Sequence, residues 1–358
     1  MKIIKAGYEI MPNFENPLKK IELVARTCYK SEDLITEDSC VKMVENLVKK
    51  GHLAMLEHAT LAYIVDHATF ELVANIVNNL EINVFEGVER YPVKSFVRFT
   101  AHHVEVEGED DPLVDRFIIS GNLRAYAEMF QLLLDAVSFL PEQLVTAVAE
   151  DSNGAVDYRP CLADGEMGRA GIKLITDFSK LSLSERVVHE TLTVKFTVDR
   201  GVTHEFVRHR PASFAQESTR YCNYSKGKFG EEITVIEPCY LKRPEGDETL
   251  STEQWAERYG AWEHACKTAE ECYFRMLKDG ATPQEARAVL PTSTKADLII
   301  TATVEEWLHI LDLRALGVTG KPHPQMLEVM VPLAKELASN QLKDYDKFTT
   351  IKQILEME

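Results

Sequence analysis

The stretch Arg208-His209-Arg210-Pro211-Ala212-Ser213-Phe214-Ala215-Gln216-Glu217-Ser218-Thr219-Arg220-Tyr221 gathers three arginines, a histidine and four hydroxyl groups into fourteen positions. The chain around it has 358 residues and a formal net charge of −17. A general field of that sign disfavours nucleic acid and anionic membrane as partners. A phosphate-bearing ligand therefore has to be held by a local cluster of Arg, His and helix-end amides, and this stretch is the sharpest such cluster in the sequence. Guanidinium forks suit phosphate oxygens and carbonyl edges. The hydroxyls of Ser218 and Thr219, with backbone amides of the same turn, complete a cradle. Residue types alone also allow a blander reading, a surface arginine cluster paired with Asp199, Glu205 and Glu217.

Upstream, Thr191 to Val198 sets Leu192, Val194, Phe196 and Val198 against Thr191, Thr193, Lys195 and Thr197, the period-two pattern of a half-buried strand. Asp199-Arg200-Gly201 turns it into a helical segment ending near Arg210-Pro211. Asn16-Pro17 opens a helix with Leu18, Ile21, Ala25 and Cys28 on one face. Thr36 is expected to cap a second, with Val41, Val44, Leu47 and Val48 inward and Gly51 at its end. A short strand follows from Thr60 to Val65. Asn122 starts a helix with Leu123, Ala127, Phe130, Leu134 and Val137 inward, between an acidic turn, Glu105 to Asp111, and a loop, Asp151 to Gly154. The last third is expected to be mostly helical. It holds a stripe of Trp255, Tyr259, Trp262, Cys266, Ala269, Tyr273 and Met276 closed by Gly280, read as core packing or a subunit interface. Capping boxes stand at Thr282-Pro283-Gln284-Glu285 and Thr303-Val304-Glu305-Glu306, the second followed by Trp307, Leu308, Leu311 and Ala315 on one face.

Apolar residues make up 45% and charged residues 27%, as expected for a soluble globular protein. The seven cysteines are odd in number and include no CxxC pair, which argues for a reducing cytoplasmic setting over a disulfide framework or zinc ribbon. The N-terminal segment lacks the apolar region of a secretory signal, and no run of about 18 apolar residues suggests a membrane span.

Arg-His-Arg followed after seven residues by Ser, and then by Arg220-Tyr221, resembles the signature of the flavin-dependent thymidylate synthase family. The likeness continues in Gly51-His52 to Glu57-His58, in strand 191–198, in Ala286-Arg287 with Val289-Leu290-Pro291, in Leu311-Asp312-Leu313-Arg314 and in His323-Pro324-Gln325. It covers roughly residues 15–65 and 187–340, with about 66–185 resembling an insertion between two strands of one domain spanning 1–358. The implied fold is α+β: a central, mostly antiparallel sheet flanked by helices, with a helical C-terminal third.

The resemblance implies thymidylate made from deoxyuridylate (dUMP). Methylene tetrahydrofolate supplies the carbon and FAD, reduced by NADPH, the hydride, in a homotetramer whose sites are shared between subunits. Carried over by position, Arg208, Ser218, Thr219, Arg220 and Arg287 hold dUMP with Glu205 and Gln216, the phosphate lying near Ser218 and Arg220. Arg314 sits at the uracil as the catalytic group, where a guanidinium beside N3 stabilises the developing anion. His52, Glu57, Arg208, His209, Arg210, Thr303 and His309 face the flavin. Ser218 is read as a phosphate ligand, because no His-Asp pair stands at an activating spacing.

The sequence departs from the family pattern at Ala215-Gln216, where Asn-Glu is usual, at Glu205 for Gln, at Cys28 for Ser, and at Thr303-Val304-Glu305 for Asn-x-Arg. Glu305 cannot replace an arginine at a pyrophosphate, so contacts from the insertion are expected there. His102-His103 with Glu105, Glu107 and Asp110 fits no standard metal set and reads as solvated loop charge, so no metal is expected. His58 reads equally as a core histidine or a functional contact, and Cys222 as a small buried filler. Two rival functions stand beside the synthase: a flavoenzyme delivering a different one-carbon product to a pyrimidine nucleotide, and a nucleotide-binding protein that has lost the flavin.

Overall fold

The alternation in Thr191–Val198 does build a strand, and its neighbours explain what surrounds it. The computed structural model describes residues 1–79, 93–105, 113–135, 140–162, 168–227, 230–243, 246 and 249–357. Among these residues the strands are β1 (Lys2–Ile4), β2 (Gly7–Ile10), β3 (Thr60–Val65), β4 (Val97–Glu105), β5 (Leu113–Asn122), β6 (Lys173–Leu174), β7 (Thr191–Asp199), β8 (Ser213–Gln216), β9 (Thr234–Ile236) and β10 (Lys295–Thr303). They form two four-stranded sheets, in the orders β2-β7-β10-β8 and β4-β5-β3-β6, and a pair, β1-β9. Every pairing in the two larger sheets is antiparallel, and β1-β9 is parallel. The α+β reading holds, with two sheets in place of one.

The centre of the first sheet is β10, a strand that sequence reading passed over within a third expected to be mostly helical. Leu298, Ile300 and Ala302 join the core under β7, while Ile299 joins Ala215, Met11, Val24 and Cys28 on the other face. Ala296, Leu298, Ile300 and Ala302 alternate with Lys295, Asp297, Thr301 and Thr303, but Ile299 interrupts the pattern and leaves a continuous apolar run, Leu298–Ile300, at the strand centre. β7 has one mainly apolar face, and its alternation was legible for that reason.

The second sheet is built largely from the stretch read as an insertion. β5 lies between β3 and β4. Its core joins Tyr63 and Val65 of β3 and Ile119 of β5 to Tyr126, Met129 and Phe130 of helix Leu123–Asp135 and to Ile21 and Ala25 of helix Pro17–Tyr29. Each such large side chain contributes roughly 1.5–3 kcal/mol on burial.

Several local expectations need correction. The second helix runs Ser39–Lys49, so Thr36 lies outside it, its carbonyl accepting from Ser39 Oγ at 3.1 Å. Its inward face is Cys40, Val44 and Leu47, while Val41 and Val48 are exposed. In helix Leu123–Asp135, Asn122 does cap, accepting from Ala125 N at 2.8 Å. The fully buried face adds Ala125, Met129 and Leu133 to Leu123 and Phe130, Ala127 packs half-buried against the same core, Leu134 is not part of it, and Val137 and the acidic turn beyond Glu105 lie outside the described residues. The segment after β7 is helical only over Arg200–Phe206. The aromatic stripe lies on helix Thr252–Lys278, where Cys266 and Tyr273 are buried and Trp262 and Met276 pack beside them.

Candidate active site

The signature divides into three parts. Asp199 Oδ1 accepts from Val202 N at 2.8 Å and so caps the helix that delivers Arg208. Arg208, His209 and Arg210 follow in a turn where His209 is buried and both arginines are exposed. Ser213–Gln216 is then strand β8, registered on Leu298–Thr301 of β10. Ser218 to Cys222 is a turn closed by Tyr221 N and Cys222 N donating to the Ser218 carbonyl at 3.2 and 2.9 Å.

The acids that were to neutralise the arginines are engaged elsewhere. Asp199 serves as a cap, Glu205 accepts from Arg314 NH1 at 2.8 Å, and Glu217 accepts from Lys295 Nζ at 2.8 Å. No hydrogen bond or ion pair occupies the Arg208 or Arg210 side chain among the described residues. The bland reading of the cluster therefore fails at these two positions.

Arg314 sits where helix Val304–Leu311 widens into a single π turn, Asp312–Leu316, closed by Gly317 at φ +68°. Single π turns are rare and recur at functional sites; this one forms the last turn of the helix. The guanidinium donates from Nε to His209 Nε2 at 3.2 Å, from NH1 to Glu205 Oε2 at 2.8 Å and from NH2 to the Glu205 carbonyl at 3.1 Å. On the far side of His209, Nδ1 lies 3.6 Å from Glu306 Oε1, and the His309 ring stands edge-on at 5.9 Å. Thr303 Oγ1 accepts from Glu306 N at 3.3 Å, but the Glu306 carboxylate faces His209, so the expected capping box is only half formed. His209, Glu306 and His309 offer ligand atoms within 4.8 Å of one another. A metal on His209 Nδ1 would nevertheless put the ring proton on Nε2, against the Arg314 donor.

The turn after β8 collects the second group. Arg220 Nε donates to Gln284 Oε1 at 3.1 Å, and Arg287 NH1 to Thr219 Oγ1 at 3.4 Å. The capping box Thr282–Glu285 is fully formed and presents Gln284 and Arg287 to the turn. The Ser218 hydroxyl accepts from Arg220 N at 3.4 Å, and no histidine or carboxylate bonds to it among the described residues. Ser218 N donates to the Cys28 carbonyl at 3.0 Å, so Cys28 holds the turn by its backbone, while burial pushes its thiol up to about 12. Beneath lies a buried charge cluster. Lys30 pairs with Asp297, Lys295 pairs with Glu217 and Asp297 at 2.8 Å each, and burial lowers Lys295 to about 8.

The residues expected at the flavin fall into separate places. His52 lines a groove of about 340 Å³ with Tyr29, Met55, Arg124 and Tyr221. Glu57 and Thr303 line a cleft between the two sheets with Ser95, Arg98 and Ser213. Arg124 NH1 donates to Glu57 Oε1 at 2.7 Å, while burial raises the Glu57 carboxyl. Arg98, on β4, approaches Glu305 to 4.0 Å. His58 is wholly buried, with Nδ1 2.9 Å from Thr301 Oγ1 and burial lowering it to about 3, which resolves it as a core histidine. Cys222 is buried too. Gln216 Nε2 donates to Thr203 Oγ1 at 3.1 Å, beside the helix that carries Glu205. His102 is paired within β4, opposite Arg116; Glu107 and Asp110 lie outside the described residues.

The sequence profile of the family described as "Thymidylate synthase complementing protein" matches residues 137–338, more than half of the chain. The chain belongs to that family. Among curated members, a flavin-dependent thymidylate synthase of Haloarcula marismortui is 26% identical over 42% of this chain and 64% of its own length. One of Corynebacterium aurimucosum is 28% identical over 47% of this chain and 67% of its own length. The chain thus spans just under two thirds of the Haloarcula relative. Among solved structures, a UMP/dUMP methylase from Streptomyces cacaoi bound with 5-Br dUMP is 25% identical, with a TM-score of 0.37 over 45% of this chain and 72% of that one.

Sequence reading did not bring Gln284, Arg98 or Glu306 to the site, nor Lys30, Lys295 and Asp297 to Glu217. Gln284 and Glu306 were visible only as helix caps. Arg98 lay in the stretch read as an insertion, and nothing local marks Lys30 and Asp297, 267 positions apart, as partners.

Proposed function

We propose that the protein is a flavin-dependent thymidylate synthase, which methylates dUMP to dTMP with methylene tetrahydrofolate as carbon donor and NADPH-reduced FAD as hydride source. The observation that carries this reading is the pair of exposed arginines, Arg208 and Arg210, whose side chains have no partner among the described residues, in a chain of net charge −17. They lie in the same signature as a turn that assembles Ser218, Arg220 and, through Thr219, Arg287. Unpaired guanidinium groups in an acidic protein fit a phosphate-bearing ligand.

In this reading Ser218, Arg220 and Arg287 hold the dUMP phosphate, with Gln284 steadying Arg220. Ser218 has no base beside it and acts as a ligand. Arg314, oriented by Glu205 and His209, faces the uracil and favours loss of the N3 proton. Arg208 and Arg210 fit the phosphates of FAD, which when bound supplies the hydride. Arg98 supplies, from the second sheet, the cation that Glu305 cannot. His52 and its groove, with Glu57, Thr303 and His309, complete the flavin side, and the assembly is a homotetramer.

The test is tritium release from labelled dUMP with FAD, NADPH and methylene tetrahydrofolate, with dTMP measured directly. Tritium release with matching dTMP is expected. Release without dTMP would support a different one-carbon product, and a colourless protein that cannot be reconstituted with FAD would sink the proposal.

A further inference from the structure

Glu306 belongs to none of the roles assigned above, yet it closes a line of four charged or polar groups, Glu306–His209–Arg314–Glu205. A neutral imidazole has one donor nitrogen and one acceptor nitrogen. Arg314 Nε can only donate, and it points at His209 Nε2 from 3.2 Å. Nε2 must then be the bare nitrogen, and the ring proton resides on Nδ1. Nδ1 faces Glu306 Oε1 at 3.6 Å, too far for a strong hydrogen bond but close for a charge acting on an N–H dipole. His209 is 4% exposed and Glu306 8%, so water screens this interaction weakly. The only other ring near His209 among the described residues is His309, edge-on at 5.9 Å.

We infer that Glu306 is a positioning residue that fixes the Nδ1–H tautomer of His209 and thereby holds Arg314 in place. With the carboxylate removed, the Nε2–H tautomer becomes competitive. It would set one N–H against another, and Arg314 would be left with Glu205 alone. The guanidinium would lose its second point of orientation, while its charge and its strongest bond stayed intact. The inference rests on the proposed function only where it concerns what Arg314 does once positioned.

The first readout needs neither ligand nor variant. A long-range 1H–15N spectrum of the histidine-labelled chain, with His209 assigned by His209→Gln, should show the Nδ1–H form. An Nε2–H form in the wild type overturns the inference. Glu306→Ala should shift His209 toward Nε2–H and weaken dUMP binding to the flavin-free protein about tenfold, the effect of losing one charge-assisted contact. Glu306→Gln keeps an oxygen in the same place and should retain both properties within about threefold. An Ala variant that folds, keeps Nδ1–H and binds dUMP like the wild type also overturns it. Should the wild type bind no dUMP while the tautomer shifts as stated, the proposed function fails and the Glu306–His209 coupling stands.

Discussion

Arg314 donates to two different residues through three nitrogens, so truncating it removes a hub. Arg314→Ala is expected to lower turnover by at least about a hundredfold, as for other preorganised charge stabilisers, while flavin content falls much less. Equal loss of both would place the residue at the flavin instead. Arg98 makes the opposite forecast. Its ion pair with Glu305 is long, at 4.0 Å, and Glu305 is mostly exposed, so Arg98→Ala should change stability by under about 1 kcal/mol. Its effect should appear as lost FAD, read by absorbance of the purified protein; full flavin occupancy would contradict the assignment. At this scale the sequence identified the signature arginines but not their state of pairing. Whether Arg208 is neutralised depended on where Glu205 and Glu217 turned, and their partners, Arg314 and Lys295, are far away in the chain.

The helix Val304–Leu311 and its π turn show how an element serves the site. Gly317 ends the turn at φ +68°, and a Cβ there would lie 2.8 Å from Pro322 Cδ and 3.0 Å from the Gly320 carbonyl. Gly317→Ala combines a strained backbone with a clash, and should destabilise by roughly 1–3 kcal/mol. Because the same turn carries Arg314, activity should fall more than the loss of folded protein explains, which a melting curve and a specific-activity assay on one sample would separate. Elements with one apolar face, such as β7 and helix Pro17–Tyr29, were legible because their period repeats in the sequence. β10 was passed over although Ala296, Leu298, Ile300 and Ala302 alternate with polar residues, because Ile299 breaks the pattern with an apolar run at Leu298–Ile300. Helix Ser39–Lys49 misled in another way: its exposed Val41 and Val48 look like core residues in sequence, and only the neighbouring packing separates them from Val44.

Across the whole molecule, two buried histidines join parts that lie far apart in sequence. His58, just before β3, meets Thr301 of β10 and so connects the two sheets. His189, just before β7, lies with Nδ1 2.7 Å from Ser120 of β5 and Nε2 2.9 Å from Thr100 of β4. Burial lowers both from an ordinary value of 6.5 to about 3. Between those limits the unfolded chain takes up a proton on each ring and the folded chain does not, so stability falls on acidification. The slope is about 1.4 kcal/mol per pH unit for each histidine. Urea midpoints between pH 7 and pH 4 should drop accordingly, and His189→Gln should flatten the slope even if it lowers stability at pH 7. An unchanged slope would refute the role of His189.

The sequence by itself determined the chemistry on offer. The signature, its spacing and the acidic background pointed to a flavin-dependent thymidylate synthase relative with a local anion cradle, because those properties reside in residue types and short spacings. Only the tertiary structure decided which charges are free. Pairing in three dimensions sent Glu217 to Lys295, Glu205 to Arg314 and Arg98 to the cleft beside Thr303. A charge is neutralised by whatever lies within a few ångströms, and sequence distance carries no information about that once the chain has folded back on itself.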